Sequence, residues 1–594
     1  MCGIAGQFGQ QEAGFAERAR VELRRRGPDG DGVWCGGKAT LVHTRLAILD
    51  LSDAGAQPMV WKKQAEGEQA SEHVLVFNGE IYNYRELRKE LEALGEHFTS
   101  DSDTEVVLRL LVREGERALG KLAGMFAIAF WDAAKDVGLL ARDALGIKPL
   151  YVRESAEVLA FASEARVLIR ENDATDDDAL RDYFEWGSVP EPATLSRAVR
   201  QLPAGHLLKW KSGSPPCRME RWDGWSLGKG VAPADPVRAT REALMESVRR
   251  HLVSDVPVGV FLSGGIDSTA ILALVREALG AEADIRTFSI GFDDPAFDES
   301  SLARRTAEHF GARHTEWLMT PEEGAAEIPA FLEAMDQPSI DGFNTWCVSK
   351  LAKREGMKVV LSGLGGDEWF AGYSSFERVP WFRKAHRLLG PLRLPVACVL
   401  AKRPPGSPWR RFASFLRGDS SWLGAYQVQR GIFTAEEAAL LAEKFTCGNS
   451  VRKPREETGW PDDPRDVVSL LELTRYMRNQ LLRDSDVYSM AHGLELRVPF
   501  VDVRLAESLS SIPAGVRLRQ GKQLLLEALP EIPEWVRNQP KRGFRFPFQQ
   551  WMEGHFGDLL AEANRVSPVR LDAWYRTWAV AAAMRKVKST FETR

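Results

Sequence analysis

Apolar and polar positions follow two different rhythms along the chain. Up to about residue 165 the apolar residues fall in short runs broken by Gly, Asn and Asp: TLVHTRLAILDL (40–51), HVLVFNGEIYNY (73–84), GMFAIAFWD (124–132), VGLLARD (137–143) and VLAFASE (158–164). Runs of this length and punctuation predict strands. A helical pattern, TEVVLRLLVREG (104–115), lies between them. Many strands with few helices predict an α+β sandwich of sheet on sheet. Residues 171–182, ENDATDDDALRD, are acidic and mark a boundary, and the Pro/Gly-rich stretch 188–216 reads as a connecting arm.

From about residue 236 strand and helix alternate. DVPVGVFLS (255–263) is a buried-strand run, and STAILALVREALG (268–280) sets Ile271, Leu274, Val275, Ala278 and Leu279 along one helical face. The strands IRTFSIGF (285–292), RHTEWLM (313–319) and MKVVLSG (357–363) follow, with the helix ESSLARRTAEHFG (299–311) among them. This pattern predicts an α/β doubly wound parallel sheet that takes ligands at the carboxyl ends of its strands. The expected units are residues 2–165, a connecting segment 166–235, and 236–594. The stretch 375–455 carries scattered basic and aromatic residues without a clear period, and reads as a solvated helical surface rather than an RNA site.

Composition narrows the classes. With 594 residues, 44% hydrophobic and 27% charged, the chain is an ordinary globular protein of several domains. Lys plus Arg (78) against Asp plus Glu (83) gives a net charge of −5, so the overall balance makes no case for general nucleic-acid or membrane binding. The six cysteines are scattered singly, without metal-ligand spacing, which argues against a disulfide framework or a structural zinc site and for a reducing cytoplasm. No basic segment leads into a signal-length apolar core, and no window approaches 18 uninterrupted apolar residues, so export and membrane spanning are not expected.

Two groups of residues carry candidate chemistry. Removal of Met1 would leave Cys2 with a free α-amine, a base covalently close to a thiol whose pKa of about 8.5 requires one. Asn78-Gly79 reads either as a hairpin turn or as an oxyanion hole of one side-chain and one backbone N–H. Ser102-Asp103-Thr104-Glu105 has the spacing of a capping box, which leaves Asp103 available to a substrate ammonium. Arg45, within an apolar strand, reads as an ion-paired residue or as a clamp for a carboxylate. The second group is Ser263-Gly264-Gly265-Ile266-Asp267-Ser268, between strand and helix, where glycines and a helix N-terminus suit phosphate and Asp267 suits magnesium. Neither a Walker A loop nor a GxGxxG fingerprint is present. A second glycine loop, Ser362-Gly363-Leu364-Gly365-Gly366-Asp367-Glu368, belongs on the same sheet edge, with Asp367 as a second magnesium carboxylate.

MCGIAG (1–6), RRGPDG (25–30), HTRLAILD (43–50), FNGEIYNY (77–84) and SDTEV (102–106) together resemble the class II glutamine amidotransferase domain, an N-terminal-nucleophile fold. SGGIDS resembles the pyrophosphate loop of ATP-pyrophosphatases, and with GLELRVPFVD (493–502) and GKQLLLEAL (521–529) it resembles the synthetase domain of glutamine-hydrolysing asparagine synthetases. The resemblance implies that Cys2 attacks the glutamine amide while Asn78 and Gly79 hold the oxyanion, and that Arg45, Asn78, Glu80 and Asp103 bind glutamine. It further implies that Leu262, Ser263, Gly264, Gly265, Asp267, Ser268, Ile290, Ser362 and Gly363 contact ATP. Asp267 and Asp367 would hold Mg2+, and Lys522 would lie near the reacting acyl-adenylate. Glutamine and a carboxylate acceptor, with aspartate foremost, are the implied partners, and an internal passage would carry ammonia between the sites. A homodimer is compatible with this reading. One departure stands out: many relatives carry Glu where this chain has Leu364, so another group or solvent serves as base, or the acceptor is a different carboxylate such as a peptide or sugar acid. A β-lactam synthetase, whose ring closure needs no ammonia, and a non-catalytic scaffold fit the residues less well.

Overall fold

Gly3–Gly9 (β1), the first strand, is buried along its whole length. The computed structural model describes residues 2–63, 71–213, 218–223, 225–228, 230–294, 298–446, 459–539, 551 and 554–588. β1 pairs antiparallel with Ala39–Arg45 (β3) and Val158–Ala162 (β9). Gly30–Gly36 (β2) flanks β3, while Tyr151–Glu154 (β8) and Val199–Gln201 (β10) extend the sheet beyond β9. A second six-stranded antiparallel sheet runs β12-β11-β7-β6-β5-β4 and comprises Arg218–Arg221, His206–Lys211, Val137–Arg142, Gly124–Asp132, Ser71–Ile81 and Met59–Lys63.

The two sheets pack face to face through Ile4, Phe8 and Leu41 on one side and Val74, Val76, Trp131 and Leu140 on the other. Helix Phe15–Leu23 covers the outer face of the first sheet. Helices Tyr84–Ala93 and Asp103–Glu114 cover the second. The result is the α+β sandwich expected from the short apolar runs. The stretch 188–216, expected as a connecting arm, instead supplies β10 to one sheet and β11 to the other, with β12 following. Leu207 and Leu208 are the apolar pair that draws β11 onto β7, a signal too short to stand out among Pro and Gly.

The third sheet is parallel, in the order β15-β14-β13-β16-β17, formed by Arg313–Met319, Arg286–Phe292, Val258–Phe261, Val359–Leu361 and Glu495–Arg497. The chain works outward from β13 through β14 to β15, then returns to add β16 on the other side of β13. Loops leaving β13 and β16 therefore diverge to opposite sides and open a crevice at their carboxyl ends. The sequences at those two ends are SGGIDS and SGLGGDE. Residues 375–445 are helical, with Phe376, Phe382, Phe412, Phe415 and Leu416 forming a core of their own.

Candidate functional site

Cys2 is buried at the mouth of the sandwich, and its backbone N–H donates to Asn78 Oδ1 (3.1 Å). Its carbonyl accepts from Arg26 Nε (3.2 Å). Burial pushes the Cys2 thiol above its ordinary range, so a nearby base must supply the thiolate. Asn78 and Gly79 lie within β5, opposite Ala127 and Phe126 of β6; the hairpin reading of this dipeptide is excluded. Gly79 has φ +152°, and a Cβ there would fall 1.9 Å from the Met125 carbonyl oxygen, so no other residue fits. Asn78 is fully buried, and its Nδ2 has no hydrogen-bond partner among the described residues. An unmet buried donor costs about 1–3 kcal/mol; left open beside the Cys2 thiol, it suits an incoming oxygen acceptor.

Asp103 opens helix Asp103–Glu114, and its Oδ2 accepts from the Ile81 backbone (2.9 Å), two residues beyond Gly79. Burial raises its carboxyl to about 6. The capping box expected here is only half formed. Ser102 Oγ accepts from Thr104 N–H (3.1 Å), whereas Glu105 turns back to the N–H groups of Thr99 and Ser100. Glu105 thus pins the preceding loop and leaves Asp103 without an ion-pair partner among the described residues. Arg45 makes no ion pair among the described residues; it donates to the carbonyls of Ser52 (2.9 Å) and Asp50 and shapes the loop after β3. The β1–β3 register, Gly3 opposite Thr44, still sets Arg45 next to Cys2.

Glu80 is buried, and its carboxylate lies 3.4 Å from the guanidinium of Arg497, on β17 of the parallel sheet. Arg497 also pairs with Glu495 and donates to the carbonyls of His251 (2.8 Å) and Val253 (2.6 Å). Burial and the neighbouring Glu495 push Glu80 well above the carboxylate range, against the pull of Arg497. Sequence reasoning did not single out Arg497. The available signal was a Glu and an Arg two residues apart in the apolar run GLELRVPF, a spacing that puts both on one face of a strand. Arg26 is a second such tie: its guanidinium meets Asp486 (2.8 Å) on helix Arg483–Met490 and Glu164 (3.4 Å).

At the other centre, Gly264 adopts φ +71°, and helix Ile266–Leu279 starts at Gly265 with no side chain capping its first N–H groups. Free N–H groups at a helix start suit an anion. Ser268 Oγ accepts from Ser263 N–H (3.2 Å) and holds the loop closed. Leu262 N–H donates to the Phe288 carbonyl (2.9 Å), which fixes the strand end, and Ile290 is buried on β14. The two glycine loops touch: a Cβ on Gly363 would lie 2.8 Å from Ser268 N, and one on Gly366 would lie 2.3 Å from Asp267 Oδ1. Ser362 N–H donates to the Arg497 carbonyl (2.9 Å). Leu364 is half-buried and packs on the domain core.

Lys522 is buried in a left-handed conformation (φ +60°), a strained choice for a lysine. Its Nζ sits between the carboxylates of Asp367 (2.6 Å) and Asp267. Burial alone would lower the Lys522 ammonium; the two carboxylates more than reverse this and hold it above its ordinary range. A cation is thus already seated where both carboxylates converge. Their oxygen chemistry fits magnesium, which takes one or two protein carboxylates and completes its shell with phosphate and water. No third His, Cys, Asp or Glu joins them among the described residues.

Fold and site together define a glutamine amidotransferase sandwich joined to a parallel α/β nucleotide-binding domain, a carbon–nitrogen ligase with glutamine as amido donor. Residues 1–222 match the glutamine amidotransferase domain and residues 239–594 match asparagine synthase. The chain belongs to the asparagine synthase family. It is 32% identical to asparagine synthetase [glutamine-hydrolyzing] 1 of Bacillus subtilis, covering 97% of this chain and 91% of that one. Asparagine synthetase [glutamine-hydrolyzing] 3 of the same organism is 29% identical over 90% and 84% of the two chains. Asparagine synthetase B [glutamine-hydrolyzing] of Escherichia coli is 33% identical over 65% and 67%.

Two outcomes are expected from this geometry. An ionised Asp103 favours a bound ammonium and a protonated one does not, so glutamine KM should rise as pH falls through about 6; in Asp103→Asn, KM should be raised and this step near pH 6 lost. Arg497→Gln leaves two buried carboxylates without their shared cation, and chemical denaturation should show a loss of about 3–5 kcal/mol.

Proposed function

We propose that the protein is a glutamine-hydrolysing asparagine synthetase that converts aspartate, glutamine and ATP to asparagine, glutamate, AMP and pyrophosphate. In this reading the Cys2 thiolate attacks the glutamine side-chain carbonyl, the oxyanion takes N–H groups from Asn78 and Gly79, and ammonia leaves. Water then releases glutamate from the thioester. Asp103 and Glu80 hold the α-ammonium, and Arg45 the α-carboxylate. The unmet Asn78 Nδ2 donor beside Cys2 is the observation that carries this half.

At the second centre the aspartate side-chain carboxylate attacks the α-phosphorus of ATP, pyrophosphate departs, and ammonia displaces AMP from the acyl-adenylate. The backbone of 263–268 cradles the phosphates, with Leu262, Ile290, Ser362 and Gly363 along the nucleotide. Asp267 and Asp367 would hold Mg2+, whose charge offsets that on the phosphates. Lys522 carries positive charge at the same point and orients the two carboxylates. Glu80 and Arg497 join the two units directly, and Arg497 carries the Ser362 loop on its own carbonyl, so an internal route for ammonia would run along this seam. The described cysteines are free thiols, in keeping with a cytoplasmic setting.

Cys2→Ala should abolish glutamine-dependent amidation and leave ammonia-dependent asparagine formation measurable by amino-acid analysis; glutamine use above trace rates in the variant would reject Cys2 as nucleophile. Asp267→Asn and Asp367→Asn should each lower pyrophosphate release by about 10²–10³-fold, the scale of lost charge-stabilising groups, while glutaminase activity survives. Stoichiometric ADP and orthophosphate in place of AMP and pyrophosphate would overturn the assignment of the second centre.

A further inference from the structure

The chain's net charge of −5 conceals a local imbalance: residues 375–417 hold ten Lys and Arg against one carboxylate, Glu377. The same segment concentrates exposed apolar side chains. Trp381, Leu388, Leu392, Leu394, Val399 and Trp409 are all well exposed, Leu388 at 76% and Leu392 and Val399 at 66%. Several of them are grouped by ring contact or by helical spacing. Trp381 and Trp409 both lie against the Phe412 ring, at 5.8 and 6.2 Å between centroids. On helix Ser375–Leu389, Lys384 and Leu388 follow Trp381 at three and seven residues, the spacing of one face. Leu392 and Val399 repeat that interval across helix Arg393–Leu400.

None of these six residues is needed by the core beneath, where Phe382, Phe412, Phe415 and Leu416 already close the packing. Around them Lys384, Arg387, Lys402 and Arg403 are exposed and make no ion pair among the described residues. A face of protruding Trp, Leu and Val fringed by unpaired Lys and Arg matches the boundary between acyl chains and anionic headgroups. It is poorly matched to a second copy of itself, since a two-fold contact would set the same unpaired cations against each other.

We propose that the surface formed by residues 381–409 docks the protein peripherally on an anionic lipid bilayer. No helix among the described residues is long and apolar enough to cross a membrane, so the contact is interfacial. Helix Ser375–Leu389 begins two residues after Tyr373, whose hydroxyl donates to Glu368 Oε1 (2.9 Å) in the SGLGGDE loop.

The test is co-sedimentation of the full chain with vesicles of phosphatidylcholine alone and of phosphatidylcholine mixed with phosphatidylglycerol. The protein should pellet with the anionic vesicles, be released by added salt, and ignore the neutral ones. Reversing Lys384, Arg387, Lys402 and Arg403 to Glu should weaken binding by about tenfold or more, since each cation near an anionic surface contributes. Leu392→Asn with Val399→Asn should also weaken it, with ammonia-dependent amidation in solution unchanged. Equal pelleting with both vesicle types, or undiminished binding by the charge-reversed variant, would overturn the proposal. So would a concentration-dependent dimer in sedimentation equilibrium that the Asn variant abolishes, or retardation of duplex DNA through this face without vesicle binding.

Discussion

The guanidinium of Arg497 is the charge around which the two catalytic units close. It is fully buried and shared between Glu80 of the sandwich and Glu495 of its own strand, and it donates to two carbonyls, of His251 and Val253, at the end of helix Pro236–His251. A buried ion pair of this kind contributes little net stability over an apolar replacement, but it penalises heavily any arrangement that separates its members. The cost of opening the seam, more than any gain from closing it, fixes how one unit sits on the other. The same residue passes that constraint on, because its carbonyl holds the first N–H of the loop after β16. A shift of Asn78-Gly79 and a shift of Ser362-Gly363 are thereby changes to opposite ends of one short chain of contacts.

Arg26 and Asp486 repeat the arrangement on the other side of Cys2. Lys148 is buried against the same carboxylate at 3.4 Å. Burial pulls Lys148 below its ordinary range, against the opposing pull of Asp486. Cys2 thus has its carbonyl fixed by an arginine whose counter-charges are Glu164 of the sandwich and Asp486 of the other unit. Both ties pass through residues that no reading of the sandwich by itself would expect to find charged.

Much of this was legible in the chain. Strand runs at 124–132 and 313–319 coincide with β6 and β15, because alternating or continuous apolar residues bounded by Gly, Asp and Asn have few other ways to be buried. The two glycine loops were legible because only strand-to-helix turns use that chemistry, and the neighbouring positions of β13 and β16 follow once the sheet is doubly wound. Less legible were contacts made across long sequence separations. Asn78-Gly79 carries a strong hairpin signal, and only pairing with β6 reveals that Gly79 is there to let a carbonyl pass. Strands β10 to β12 are three to six residues long and edge or near-edge, so their apolar content is too thin to outweigh the Pro and Gly around them. Glu105 fits a local cap by spacing, yet the free N–H groups of Thr99 and Ser100 outcompete that role.

Lys522 gives the nucleotide centre an internal counter-ion. Two carboxylates on separate loops, drawn together by the topology of β13 and β16, would repel each other and spread the crevice if nothing stood between them. An ammonium tethered by four methylenes offsets this repulsion from within the chain and links the two loops.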